Sequence, residues 1–338
     1  MTRRPIVALA VAVLIPGLAL AAPSVRELRP NPRQVPPEPS YVHRIEPAVV
    51  GLRVRAEEEA ASSARLGSRR FGSGVIFDAR GYAVTVSYIL LDAITIDAQL
   101  RDGRTVAARL VGVDLETGLG IVKLEDAGPW PAAALGQSRD VAVGMLTGTV
   151  GVDEDNDLVY VTGAVDSIRR FSGFWEYMLD RALLVAPSSP SWGGSAVVND
   201  RGEVIAIASL RLGEPPHVNL AIPIEKFTSV KDELIAAGRV VSRRSRPWLG
   251  LYTAPTAGGL VIDGFAPMGP ARRAGLHRGD RIVSVNGVSV LTQEEFYEQL
   301  WQGEAGDVVH IAVQRGEKVH VIGVSSIDRY RLLRSPAH

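Results

Sequence analysis

The sequence of 338 residues contains no cysteine and carries no excess of charge of either sign. Without cysteine there are no disulfides, no thiol nucleophile and no cysteine-ligated metal site. The 37 basic and 37 acidic residues balance, so the charge favours no nucleic-acid partner. No ligand pattern predicts a metal and no motif predicts a cofactor. With 46% hydrophobic and 22% charged residues, the chain has the composition of a globular protein with room for two domains.

The N-terminus differs in kind from the rest of the chain. Two arginines precede an apolar run from Pro5 to Ala22 that ends in small residues. This pattern is typical of a secretory signal peptide over residues 1–22, cleaved near Ala21 or Ala22, and it predicts export to a bacterial periplasm. A retained membrane anchor is the alternative, although the run is short for a bilayer span and contains Pro16.

The remaining chain divides by pattern into five segments. Residues 23–40 are rich in proline and predict an extended linker. Residues 41–238 show short β-branched runs broken by turn residues, which favours an all-β barrel or sandwich. A basic linker follows at 239–247, and 248–325 reads as a compact α+β domain. The tail, 326–338, is rich in arginine and is expected to be loosely held.

Some local structure is predicted in more detail. The polar segment from Glu57 to Arg70 indicates a mobile surface loop. Between Pro223 and Ala237, apolar residues recur at helical spacing and predict one amphipathic helix that ends at Gly238. In the last domain, a threonine followed three residues later by glutamate predicts a capped helix from Thr292 to Gln302.

Several motifs recur in a fixed order along the chain. Residues 72–85 contain GSGVIFD and GYAVT, residues 111–124 read VGVDLETGLGIVKL, and residues 195–207 read SAVVNDRGEVIAI. LAIPI follows at 220–224, and GDRIVSVNG at 279–287 is typical of PDZ domains. Together these motifs resemble the HtrA/Deg family of trypsin-like serine proteases with a C-terminal PDZ domain. The resemblance covers residues 41–325 and implies a mainly β protein, in which a trypsin-like double β-barrel precedes a small α+β PDZ domain.

The same resemblance places the catalytic triad on residues that cannot perform its chemistry. The histidine position falls at Tyr88, the carboxylate position at Gly118 and the nucleophile position at Gly193. Acyl transfer needs a hydroxyl, a base that takes its proton and a carboxylate that orients the base. A tyrosine with a pKa of about 10 is no base near neutrality, and glycine has no side chain. The resemblance therefore implies a pseudoprotease, not an enzyme.

Relocated catalytic residues are the alternative. Ser191 and Ser195 flank the nucleophile position, and either could serve a serine-type endopeptidase of periplasmic protein quality control. No histidine fits the base position, because His43 precedes the first strand and His217 lies in a proline-rich loop. Trp192 is expected to fill the vacated cleft, with exposure as a ligand-stacking residue as the other interpretation.

The PDZ domain keeps the parts that bind peptides. In PDZ domains a peptide adds as a strand, and loop N–H groups capture its C-terminal carboxylate. By resemblance that loop is Trp248, Leu249, Gly250 and Leu251, and the opposite wall is the helix with Phe296 and Leu300, unless these two residues serve only the core. The expected partners are C-terminal peptides or unfolded segments of exported proteins. An active paralogue is a further partner, and a homotrimer is the oligomer that the resemblance implies.

Overall fold

The computed structural model describes residues 38–333. The predicted signal peptide and almost all of the proline-rich segment 23–40 lie outside the described residues. Within the described range, no helix combines the length and apolar character needed to cross a bilayer.

The first barrel is built from short β-branched runs that close on themselves. Its six strands are β1 (Val49–Ala56), β2 (Arg69–Asp78), β3 (Tyr82–Val86), β4 (Ala93–Gln99), β5 (Thr105–Asp114) and β6 (Leu119–Leu124). They pair in the order β1-β2-β3-β6-β5-β4. Closure leaves no free sheet edge, and the inward residues, such as Leu52, Ile76 and Ile121, are almost completely buried.

The second barrel repeats this architecture. Its strands are β7 (Leu146–Val152), β8 (Leu158–Gly173), β9 (Tyr177–Ala186), β10 (Ala196–Val198), β11 (Val204–Leu212) and β12 (Val218–Pro223). They close in the order β10-β11-β12-β9-β8-β7. Strand β8 has 16 residues, and its hairpin with β9 reaches the last domain.

The last domain is a sheet of six strands covered by helices. The strands are β13 (Leu251–Thr256), β14 (Gly259–Phe265), β15 (Arg281–Val285), β16 (Val288–Ser289), β17 (Val308–Arg315) and β18 (Lys318–Ser325). The tight turn between β15 and β16 is Asn286-Gly287, and both residues have positive φ, as a type I′ hairpin requires.

Within residues 38–333, seven short α-helices accompany the strands. They are α1 (Ser40–Ile45), α2 (Ser63–Leu66), α3 (Ser87–Leu90), α4 (Glu225–Thr228), α5 (Lys231–Ala237), α6 (Pro270–Arg273) and α7 (Gln293–Leu300). The predicted capping box of α7 is present at Thr292. The helix predicted over 223–237 is interrupted between α4 and α5, and it ends at Gly238 in the left-handed conformation.

Three segments that looked unstructured are fixed by polar contacts. Within 57–70, Arg70 is buried and its guanidinium donates to the Leu91 carbonyl at 2.7 Å. In the linker 239–247, Arg243 pairs with the fully buried Asp114. In the tail, a 3-10 helix spans Arg329–Leu332, and the Tyr330 hydroxyl accepts a hydrogen bond from a main-chain N–H of the first barrel at 3.0 Å. Charged and aromatic side chains supply the contacts that hydrophobic periodicity does not reveal.

Candidate functional site

Tyr88 lies at the junction of the two barrels, on the short helix α3 that follows strand β3. Its hydroxyl donates a hydrogen bond to the carbonyl of Ser209 at 2.9 Å. A Cβ atom placed on Gly193 would lie 2.8 Å from the Tyr88 hydroxyl oxygen. Burial raises the pKa of Tyr88 above its usual value, so the phenol stays protonated. The structure therefore brings the residues at the predicted histidine and nucleophile positions together and fills the space between them with a neutral hydroxyl.

Gly118 lies beside them, at the turn before strand β6. Its carbonyl accepts the Ser87 N–H at 2.7 Å, directly next to Tyr88. A Cβ atom on Gly118 would lie 3.0 Å from the hydroxyl of Tyr177, and that hydroxyl donates to the Thr117 carbonyl at 2.8 Å. A tyrosine side chain thus crowds the place where the resemblance expects a carboxylate.

The hydroxyls of the two serines that flank Gly193 donate hydrogen bonds to main-chain carbonyls. Ser195 is completely buried, and its hydroxyl donates to the carbonyl of Ser191. The Ser191 hydroxyl in turn donates to the carbonyl of Val152. The nearest imidazole candidate by sequence, His217, makes a 2.6 Å hydrogen bond to the Gly213 carbonyl. Neither serine hydroxyl has a histidine as its hydrogen-bond partner.

Main-chain hydrogen bonds fix the loop around Gly193 to strands β2 and β11. The Gly193 carbonyl accepts the Ser73 N–H at 2.7 Å, and the Gly194 N–H donates to Ala208 at 2.9 Å. The Ser191 N–H donates to the Ser189 hydroxyl at 3.2 Å. An oxyanion hole needs N–H groups that point freely at a substrate oxygen. Three of the N–H groups in this loop, those of Ser191, Gly194 and Ser195, donate within the chain.

Trp192 lies next to these residues and is partly buried. Its side chain packs against the core cluster that includes Val165 and Ile205, and Arg211 lies over its ring at 6.0 Å from the centroid. These contacts favour the first of the two interpretations, in which the indole fills the vacated cleft.

The predicted carboxylate-binding loop has the backbone that close approach of a ligand requires. Gly250 has φ of +73°, and a Cβ atom there would lie 2.6 Å from the Gly269 Cα, so only glycine fits. Trp248 pairs through its main chain with Ile327, with both hydrogen bonds at 3.1 Å. The side chains of Leu249 and Leu251 are fully buried in the domain core.

The main-chain N–H groups of this loop already have an acceptor. The carboxylate of Glu176, from the hairpin between β8 and β9, accepts the Leu249 N–H at 3.1 Å and the Leu251 N–H at 2.8 Å. The side chains of Phe296 and Leu300 on α7 are at most 1% exposed and belong to the hydrophobic core. Sequence reasoning missed Glu176. The signal that could have found it is a hairpin turn, Phe174-Trp175-Glu176, that lacks glycine.

Comparison with protein families gives two matches along the chain. Residues 72–207 match the trypsin-like peptidase domain, and residues 261–315 match the PDZ domain. The first match covers strands of both barrels, and the second lies within the last domain and includes helices α6 and α7.

Known proteins resemble the chain over most of its length. Serine endoprotease DegS of Escherichia coli strain K12 is 30% identical over 333 residues, which cover 89% of this chain and 91% of DegS. A probable periplasmic serine endoprotease DegP-like of Halomonas elongata is 32% identical over 263 residues, which cover 73% of this chain and 54% of that protein.

Two solved structures share the fold. The HtrA-type protease AlgW with decapeptide is 24% identical, with a TM-score of 0.54 over 88% of this chain and 98% of AlgW. The serine endoprotease from Yersinia pestis is 26% identical, with a TM-score of 0.54 over 87% of this chain and 99% of that one. The predicted mainly β architecture, with a trypsin-like double barrel followed by a PDZ domain, is confirmed. The chain belongs to the HtrA/Deg family of serine endoproteases.

Proposed function

We propose that this HtrA/Deg protein is a catalytically inactive pseudoprotease that binds exported peptides or proteins as a scaffold, a chaperone or a regulatory subunit. The observation that carries the proposal is the contact between the predicted base and nucleophile positions. There the Tyr88 hydroxyl lies 2.8 Å from the place where a nucleophile's Cβ atom would begin on Gly193.

The chemistry of this contact supports loss of hydrolysis. A general base must release and recover a proton near neutral pH. Burial raises the pKa of Tyr88, which moves the phenol further from that range. Gly193 offers no hydroxyl and Gly118 no carboxylate, so all three triad roles are without a suitable side chain.

The alternative, an endopeptidase with relocated residues, finds little support in the contacts of the two serines. A nucleophilic serine needs a base within hydrogen-bond reach. The Ser191 and Ser195 hydroxyls instead donate to main-chain carbonyls, and Ser195 has no exposed surface.

Peptide binding is proposed from the PDZ domain and from the relatives. The solved AlgW structures are named as complexes with a decapeptide and a tripeptide. The DegP-like relative of Halomonas elongata is named as periplasmic. By analogy, this protein binds C-terminal peptides or unfolded segments of exported proteins. An active paralogue and a homotrimeric assembly belong to the same proposal.

Covalent labelling tests the inactive site. Wild-type protein is incubated with a fluorophosphonate probe and, separately, with fluorescein-labelled casein, with trypsin as the positive control. We expect no label on the protein and no release of fluorescent peptides. Label that disappears in Ser191→Ala or Ser195→Ala would establish a relocated nucleophile and overturn the proposal.

The regulatory-subunit version has its own test. Tagged protein is purified from the cell envelope, and the co-purified proteins are quantified by mass spectrometry. Recovery of an active family member in a fixed ratio would indicate a regulatory subunit. Recovery of many different exported proteins, each in a substoichiometric amount relative to the tagged protein, would indicate a scaffold or chaperone.

A further inference from the structure

The turn that joins β8 to β9 has a conformation that its sequence does not favour. Three residues, Phe174, Trp175 and Glu176, connect the paired residues Gly173 and Tyr177. Glu176 has φ of +57°, in the left-handed region. Glycine is the usual residue at that place in three-residue hairpin loops, because it has no Cβ atom to strain. A glutamate there needs surrounding contacts that hold this conformation.

Those contacts are the N–H groups of the predicted carboxylate-binding loop. The two carboxylate oxygens of Glu176 divide between the Leu249 N–H at 3.1 Å and the Leu251 N–H at 2.8 Å. A peptide's C-terminal carboxylate would need the same donors. The Glu176 side chain therefore occupies the position that the proposed function assigns to the ligand's terminus.

The main chain before Glu176 also makes contacts like those of a bound peptide. The Phe174 carbonyl, two residues earlier, accepts the Thr253 N–H of strand β13 at 3.3 Å. The Phe174 ring packs edge-on against Tyr252 of the same strand, with ring centroids 5.6 Å apart. A peptide that adds as a strand makes main-chain contacts of this kind beside its terminal carboxylate.

The helix on the other side of the turn holds it as well. The Tyr297 hydroxyl on α7 donates to the Gly173 carbonyl at 2.6 Å and accepts the Glu176 N–H at 3.0 Å. Further along the hairpin, the Ser172 hydroxyl donates to Glu294 at 2.5 Å. The turn is thus fixed between strand β13 and helix α7, the two walls of a PDZ groove.

Glu176 also lines a small cavity between the hairpin, the linker and the tail. The cavity at this place, lined among others by Trp248 and Trp301, has a volume of about 40 Å³. That volume holds about one water molecule. Burial raises the pKa of Glu176 to about 7, and the nearby Arg329 opposes that shift because its positive charge favours the charged carboxylate.

We propose that the hairpin turn 174–176 is a built-in ligand of the PDZ groove, with the Glu176 carboxylate in the place of a C-terminus. An external peptide then binds only by displacing this turn. The inference rests on the proposed function for the claim that the groove takes peptides. The competitor must bring a carboxylate to the loop N–H groups and an extended main chain to Thr253, and a free C-terminus meets both requirements.

Hydrogen exchange in the full chain tests whether the turn occupies the loop. Glu176→Gly removes the carboxylate and relieves the strained φ, so a purely structural turn would be unharmed by it. Glu176→Gln tests the charge alone. The matched control is Glu298→Gln, which removes an exposed ion pair between α7 and Arg170 of the same hairpin.

We expect amide exchange in residues 248–251 to rise at least tenfold in Glu176→Gly and to stay unchanged in the control. Exchange in the barrel strands must match wild type, which shows that the variant is folded. Unchanged exchange in 248–251 for both Glu176 variants would overturn the proposal.

Peptide capture separates this inference from the proposed function. The probe is a biotinylated mixture of random octapeptides with free C-terminal carboxylates, with the amidated mixture as its control. Glu176→Gly is expected to capture at least tenfold more of the free-acid mixture than wild type. Equal capture by both proteins would refute displacement. Raised exchange without capture by either protein would refute peptide binding as the function while leaving occupancy by Glu176 established.

Discussion

A double-mutant cycle on Tyr88 and Gly193 measures how tightly the predicted base and nucleophile positions are packed. The two changes are Gly193→Ala and Tyr88→Phe, made singly and together. Gly193 has a φ outside the left-handed region, so alanine suits its main chain. The first atom that the new Cβ meets is the Tyr88 hydroxyl oxygen at 2.8 Å, and the next is the Tyr88 Cζ at 3.9 Å. Removing that hydroxyl therefore removes the whole clash.

The geometry sets the sign and size of each effect. In wild type, the alanine pushes the phenol off the Ser209 carbonyl, and we expect a net loss of about 1 kcal/mol. Tyr88→Phe loses the same hydrogen bond and also costs about 1 kcal/mol. In the Phe background the alanine has space and gains about 0.5 kcal/mol by restricting the unfolded chain. The double variant should thus lose about 0.5 kcal/mol, with a coupling of about 1.5 kcal/mol.

Urea unfolding followed by tryptophan fluorescence provides the measurement. Midpoints are compared at a common slope, and circular dichroism must give the same transitions for the comparison to be valid. The decisive feature is that Gly193→Ala changes sign between the two backgrounds. Additive effects, within about 0.3 kcal/mol, would mean that the two positions do not touch and would refute the filled-site geometry.

Three further predictions concern charged groups. Asp114→Ala leaves Arg243 without its buried partner and should lower the free energy of unfolding in urea by about 3 kcal/mol. A loss below about 1 kcal/mol would contradict the claim that this ion pair fixes the linker 239–247. Burial alone would raise the pKa of Asp280, but hydrogen bonds from its arginine partner and the His277 N–H hold that pKa below its usual 3.8. Its contribution to stability is therefore complete above pH 3.8 and is lost as the pH falls through the depressed value. The melting temperature of Asp280→Asn should accordingly depend less on pH between pH 5 and 2 than that of wild type. Burial raises the pKa of Glu176 from 4.5 to about 7, although the hydrogen bonds from the loop N–H groups act to lower it. Docking of the hairpin turn should therefore be strongest below pH 4.5 and weaken as the pH rises through about 7. Exchange at 248–251, corrected for its intrinsic pH dependence, measures this change, and a pH-independent value would contradict it.

The fold could be predicted because its signals are local and ordered. Short β-branched runs with turn residues predict strands, and the order of motifs identifies the family architecture. The capped helix after Thr292 and the left-handed Gly238 depend on residues three or four positions apart, which a sequence displays directly. The structure also brings Tyr88 and Gly193 together, as expected of residues at the base and nucleophile positions.

The contents of the PDZ groove could not be predicted because they depend on distant residues. Glu176 meets Leu249 and Leu251 across more than 70 residues of chain. No periodicity encodes such a contact, and an acidic residue in a turn is ordinarily read as solvated. The polar contacts of Arg243 and Arg70 have the same explanation, since Arg243 meets Asp114 across 129 residues and Arg70 meets Leu91 across 21.

The central claim is that this HtrA/Deg protein has lost hydrolysis and keeps a groove for peptides. An occupied groove could mask an active site, so the most direct measurement uses Glu176→Gly, in which the turn no longer holds the loop. Wild type and this variant are treated with the fluorophosphonate probe, with and without the octapeptide mixture, and their intact masses are recorded. We predict no added mass under any condition. A mass increase of one probe in the opened variant would contradict the account and identify a protease held inactive by its own hairpin.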